Sequence, residues 1–183
     1  MPITVHIPKG SELFNTDTEE FYELDKDQDI VLEHSLVSLH KWEQKWHVGF
    51  LDRKHKKTTE EVIDYLRCMT LTKNVDPRWY YLIPKDEMSK VKEYIEDPMT
   101  GTKLKIAGSR GQAELKTAEV IYSDMIQLGI PFECRKWHLN SLMMLIQVCA
   151  EKQKPEKQMS RSAILAQNRE LNRARRAALH SKG

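Results

Sequence analysis

Prolines at positions 8, 77, 84, 98, 131 and 155 are the strongest constraint on what this chain can fold into. A proline lacks the backbone N–H and crowds the preceding helical turn, so no helix runs through one. The chain is thereby restricted to a series of short elements. With 183 residues it has the size of one domain, or of one domain with a tail. Nowhere do the ~18 uninterrupted apolar residues of a membrane span occur, and mean hydropathy is −0.61. The N-terminus, Met1-Pro-Ile-Thr-Val-His-Ile-Pro-Lys9, lacks the basic-then-apolar order of a signal peptide. Cys68, Cys134 and Cys149 are an odd, widely spaced set, which argues against a disulfide framework. These features describe a soluble, cytosol-type chain.

Between the prolines the apolar spacing changes period. Ile3-Thr-Val-His-Ile7 alternates as a strand does, and Pro8-Lys-Gly10 supplies turn chemistry. Glu20–Leu24 and Ile30–Leu32 read as two further strands flanking a turn at Asp25–Asp29. From Leu36 the spacing is helical: Leu36, Leu39, Trp42 and Trp46 share one face, with Ser35 as N-cap. Thr58-Thr-Glu-Glu61 is a capping box that opens a helix with Val62, Ile63, Leu66 and Met69 on its apolar face. The same reasoning gives helices over 35–47, 59–71, 85–96, 113–128, 133–152 and 160–180. Met99–Gly111, with Gly101, Gly108 and Gly111, suits a short hairpin or mobile loop. The fold class is therefore α+β, predominantly helical, with a small N-terminal sheet and a basic C-terminal helix. Three regions follow: an acidic β-rich region 1–33, a helical core domain 34–153 and a basic helical tail 154–183. The expected core comprises Leu36, Leu39, Trp42, Val62, Leu66, Met69, Tyr122, Met125, Trp137, Leu142 and Ile146.

The formal net charge of +2 conceals opposed ends. Ser11–Glu33 carries nine acids against Lys26 alone, whereas Lys154–Gly183 carries eight bases against Glu156 and Glu170. Such polarity suits steering between copies or partners more than bulk nucleic-acid binding. Arg169, Arg173, Arg175 and Arg176 are the candidate partner-binding residues, since guanidinium forks match carboxylates and do not require nucleic acid. A phosphate-contacting tail fits the same cluster.

Chemical motifs fail on their spacing. Asp25-x-Asp27-x-Asp29 begins like a calcium loop, but Ile30 stands where the loop needs Gly and Leu36 where it needs Glu. Cys134 and His138 share a helix face, yet no second Cys/His pair completes a zinc set, so a buried thiol and a packed imidazole fit better. Gly108-Ser-Arg-Gly111 lacks the Gly-Lys-[Ser/Thr] ending of a phosphate loop. The seven histidines form no obvious catalytic group. Trp42, Trp46 and Trp137 sit on apolar helical faces, as core or protein-interface residues do. No catalytic residue, metal site or cofactor is expected.

The segment Leu32-Glu-His-Ser-Leu-Val-Ser-Leu-His-Lys-Trp-Glu-Gln-Lys-Trp46 resembles proteins encoded in the structural operons of long-tailed bacteriophages. The resemblance continues through Lys57–Thr70, Ile130–Asn140 and Met159–Asn168. It covers most of the chain beyond residue 30, and the family it points to is that of the phage tail assembly chaperones. The resemblance implies a non-enzymatic factor of the host cytoplasm that binds the tape-measure protein and tail-tube proteins during tail morphogenesis and is absent from the finished virion. Self-association is compatible with it. The alternatives are a virion structural protein, in the tail or associated with the capsid, and a nucleic-acid-binding accessory protein.

Overall fold

The computed structural model describes residues 2–15, 19–52, 54–102, 116–153 and 161–179. The chain divides into two compact units, Met1–Ala150 and Glu151–Gly183. The expected loop at Met99–Gly111 lies outside the described residues beyond position 102, as does Pro155.

In the first unit, strand β1 (Ile3–Ile7) pairs antiparallel with β4 (Gln28–Leu32), and β2 (Glu12–Asn15) pairs antiparallel with β3 (Glu20–Glu23). Helices α1 (Leu36–Trp46), α2 (Thr59–Met69), α3 (Lys85–Glu96), α4 (Ala118–Gln127) and α5 (Leu139–Gln153) follow, with 3-10 turns at Pro77–Leu82 and Phe132–Lys136. The fold is α+β and predominantly helical, with its small β part at the N-terminus. The sequence leaves the pairing of the strands open. The strand at Ile30–Leu32 does not pair across the Asp25–Asp29 turn; its partner is β1. Ile3 faces Leu32 and Val5 faces Ile30, so both strands present matched apolar faces, whereas Glu20–Glu23 has too few apolar residues to do so. The two strand pairs are tied where they meet. Gly10, at φ +78°, lets its N–H reach the Leu24 carbonyl at 2.9 Å, and Lys9 N–H donates to Asp27 Oδ1 at 2.7 Å.

Helix α1 belongs to two clusters at once. Trp42 is fully buried with Val5, Ile7, Ile30, Leu32, Leu66 and Met69, while Leu36 and Leu39 are buried with Ile121, Met125, Leu142 and Ile146. Phe50 packs against both clusters. The N-terminal strands are thus built into the same core as the helices. Polar ends at this core find partners: Trp42 Nε1 donates to the Glu61 carbonyl at 2.8 Å, and the Thr58/Glu61 capping box forms as its spacing requires. Three expected core residues lie elsewhere. Val62 is 39% exposed, because Ile63, Tyr65, Leu66 and Met69 take the buried face of α2 and leave Val62 on its flank. Tyr122 is half-buried and stacks on Phe132. Trp137 is 48% exposed, because the expected helix 133–152 is broken there: Trp137 is extended, and His138 forms an antiparallel bridge with Ser35. Helix α4 begins at Ala118, later than expected, with Thr117 extended before it.

Glu43 fastens the second cluster to the first. Its buried carboxylate accepts from the Phe50 N–H at 2.8 Å and from the Ala118 N–H at 2.7 Å, joining the α1–α2 loop to the start of α4. Burial pushes its pKa upward and the two N–H donors oppose that shift. Glu43→Ala leaves two buried donors without an acceptor, at about 1–3 kcal/mol each. The expected fall in melting temperature is therefore roughly 4–24 °C, given about 2–4 °C per kcal/mol for a chain of this size. A shift below about 2 °C would show that solvent satisfies both donors.

Candidate protein-docking surfaces

A buried polar junction sets the geometry of the first candidate surface. His34 Nδ1 and the Tyr65 hydroxyl join at 2.6 Å, and the His34 N–H donates to the Tyr94 hydroxyl at 3.3 Å. His138 stands edge-on to His34, with ring centroids 5.1 Å apart. Its Nε2 donates to the Tyr94 carbonyl at 2.9 Å, and its Nδ1 accepts from the Asn140 N–H at 3.3 Å. These partners require the neutral Nε2–H tautomer. Desolvation lowers the pKa of His138, and desolvation together with the nearby His138 pushes His34 down to about 3. Both rings are neutral hydrogen-bonding elements that fix where α5 starts.

From that start the chain builds a groove. Asn140 Nδ2 donates to the Ile95 and Asp97 carbonyls at 2.9 and 2.7 Å, and Ser141 Oγ donates to the Met99 carbonyl at 2.6 Å. The α3 exit loop is thereby tied to the first turn of α5, with Met99 at φ +47°. A groove of about 660 Å³ lies along them, lined by Met99, Trp137, Met144, Leu145 and Val148 with Lys136 and Thr100 among its polar residues. Methionine and tryptophan are the residue types that adapt to apolar partner faces. A second apolar cavity, of about 480 Å³, lies between α2 and α3; Val62, Met88 and Ile95 line it, which accounts for the exposure of Val62.

The second candidate surface is α6 (Arg161–Ala178), in the C-terminal unit. Leu165 and Leu171 on this helix are 53% and 49% exposed, and Leu179 just beyond it is 76% exposed. At 100° per residue, Arg169, Arg173 and Arg176 form one row, as their steps of four and three require. Arg175 does not join that row. It lies one turn from both Leu171 and Leu179, within the apolar strip. All four arginines are exposed, and no salt bridge among the described residues involves them.

The sequence reading named the arginines but missed the groove, having assigned Trp137 to the core. The available signal was Pro131 with Gly129 before it, which favours a short turn over a helix across Trp137. The rejected motifs have structural uses. Asp27 accepts from the Lys9 N–H, Asp29 meets the His6 ring at 2.8 Å, and Cys134 is buried in the second cluster. The three cysteines are free, and no group of three or more His, Cys, Asp or Glu residues suited to a metal occurs among the described residues. Gly108-Ser-Arg-Gly111 lies outside them. Among the described residues, no helix is long and apolar enough to cross a membrane. Comparison with protein-family models, with curated proteins and with solved structures returns no match.

The neutral junction makes stability fall with acid. Unfolded His34 takes up a proton below pH 6.5, whereas folded His34 stays neutral down to about pH 3. The unfolded state therefore binds more protons in that window, so this contribution is complete above pH 6.5 and is lost as pH falls toward 3. At about pH 5 the loss from this one ring is roughly 2 kcal/mol. Denaturant titrations across this window should show the slope in the native chain and a shallower one in His34→Gln. Equal slopes in the two proteins would remove His34 as the cause.

Proposed function

We propose that this chain is a non-enzymatic assembly factor of the phage tail assembly chaperone type, which binds tape-measure and tail-tube proteins during tail morphogenesis in the host cytoplasm. The observation that carries the reading is the exposed α6, whose arginine row runs beside exposed leucines in a unit of its own. The resemblance at Leu32–Trp46, Lys57–Thr70, Ile130–Asn140 and Met159–Asn168 supports it, as does the Met- and Trp-lined groove beside α5. A factor that holds a long helical partner needs an apolar groove to take the partner's apolar stripe and charge to set its orientation. Here the groove offers the first, and the arginine forks offer a match for acidic side chains. The chemistry favours an amphipathic, acidic helical partner. Nucleic acid is the weaker reading, because the arginine row is bordered by leucines rather than by stacking aromatics.

Two measurements test this. Co-purification with the tape-measure protein is expected to weaken about tenfold or more when Arg169, Arg173 and Arg176 are all changed to Glu, and to weaken as salt rises. Protein composition of purified particles should show the chain to be absent. Stoichiometric presence in mature virions would instead establish the virion structural reading.

A further inference from the structure

The β2–β3 hairpin presents a face that the first unit leaves unused. Its register places Glu12 opposite Glu23, Leu13 opposite Tyr22 and Phe14 opposite Phe21. Side chains alternate across a strand, so Glu12, Glu23, Phe14 and Phe21 share one face while Leu13 and Tyr22 occupy the other. The Leu13/Tyr22 face is half-buried, with the Arg78 guanidinium 4.2 Å from the Tyr22 ring centroid. The opposite face is open. Phe14 and Phe21 are 47% and 71% exposed, and their ring centroids lie 4.7 Å apart. Glu12 and Glu23 are exposed, and no salt bridge among the described residues involves either. Like charges directly opposed on adjacent strands are unfavourable, as is an aromatic pair left in water. Both costs vanish against a cationic, partly apolar partner.

Helix α6 has that chemistry. Leu165 lies one turn before Arg169, and Leu179 lies one turn after Arg176, so the arginine row is bordered by an exposed leucine at each end. Neighbours in the row are about 5–6 Å apart, close to the ~7 Å that separates the Glu pair from the Phe pair along a strand. Guanidinium groups suit both halves of the hairpin face, because they fork onto carboxylates and stack on aromatic rings. We propose that α6 of one copy docks on the Glu12/Glu23/Phe14/Phe21 face of a second copy. Every copy carries both halves of the contact, so head-to-tail pairing occupies each hairpin and each helix. The inference does not rest on the phage reading, since it concerns only two copies of this chain.

The test uses the full chain and its charge reversals, with sedimentation velocity as the readout. The native chain is expected to self-associate at about 0.05 M salt and to dissociate toward monomer at about 0.5 M, where the reach of charge is short. Glu12→Arg with Glu23→Arg, and separately Arg173→Glu with Arg176→Glu, should each weaken association about tenfold or more. Mixing those two variants restores complementary pairs and should restore association, in hetero-complexes only. Phe21→Ser should weaken it with no change of charge. Melting curves on each variant verify that the body is folded. The hairpin reversal should leave capture of a tail protein intact, which separates failure of this proposal from failure of the previous one. A native chain that stays monomeric at low salt overturns the proposal, as does docking of α6 within its own chain, seen as monomers in which a cross-link joins the two regions. Mixed variants that fail to associate although each is folded overturn it as well.

Discussion

Seven residues, Leu32 to Ser38, are the strap on which the body of this protein depends. Leu32 ends β4 and forms an antiparallel bridge to Thr70 at the end of α2, and the Glu33 N–H donates to the Met69 carbonyl at 2.8 Å. The His34 carbonyl then accepts from the Leu139 N–H at 2.9 Å, and Ser35 bridges His138 while its side chain and that of Ser38 cap α1. Sheet, α2 and α5 are thus fastened by backbone hydrogen bonds to the short segment that runs into α1, in a buried setting. Such bonds cannot be exchanged for water without opening the core, so the strap couples the two apolar clusters. It also explains why His34 and His138 are held neutral: a charge at that junction would be withdrawn from solvent.

Local chemistry made much of this legible in the sequence. The Thr58/Glu61 capping box, the start of α3 after Pro84 and the end of α4 before Gly129 follow from capping and φ preferences that need only a few neighbouring residues. What escaped the sequence was decided at long range. The partner of Ile30–Leu32 is set by matched apolar faces more than twenty residues apart, which the neighbouring turn chemistry does not specify. Trp137 reads as core from its spacing, yet the bridge between Ser35 and His138 interrupts the helix and turns the indole outward. The burial of His34 was equally invisible, because its partners Tyr65 and Tyr94 come from two other helices. The row of Arg169, Arg173 and Arg176 on α6 was legible as well, from their steps of four and three, and the same geometry leaves Arg175 outside it.

The two units use opposite physics. The body buries a core of aromatic and aliphatic residues around α1 and pairs most of its buried polar groups with one another. Helix α6 leaves its leucines and arginines exposed, and its alanines supply intrinsic helix propensity in place of packing. Large exposed apolar side chains beside unpaired cations are costly to keep without a use, and docking onto another protein is the use that fits both. On this account the fold is complete without the tail, and the tail is proposed as one of the surfaces used for binding.

The most direct test of that division is a chain ended after Gln153, compared with the full chain by thermal melting and by far-ultraviolet circular dichroism. The account expects the melting temperature to change by less than about 2–4 °C, the equivalent of 1 kcal/mol for a chain of this size, with loss of only the helical signal contributed by α6. A larger fall would contradict it, by showing that the tail belongs to the core that it was taken to leave free.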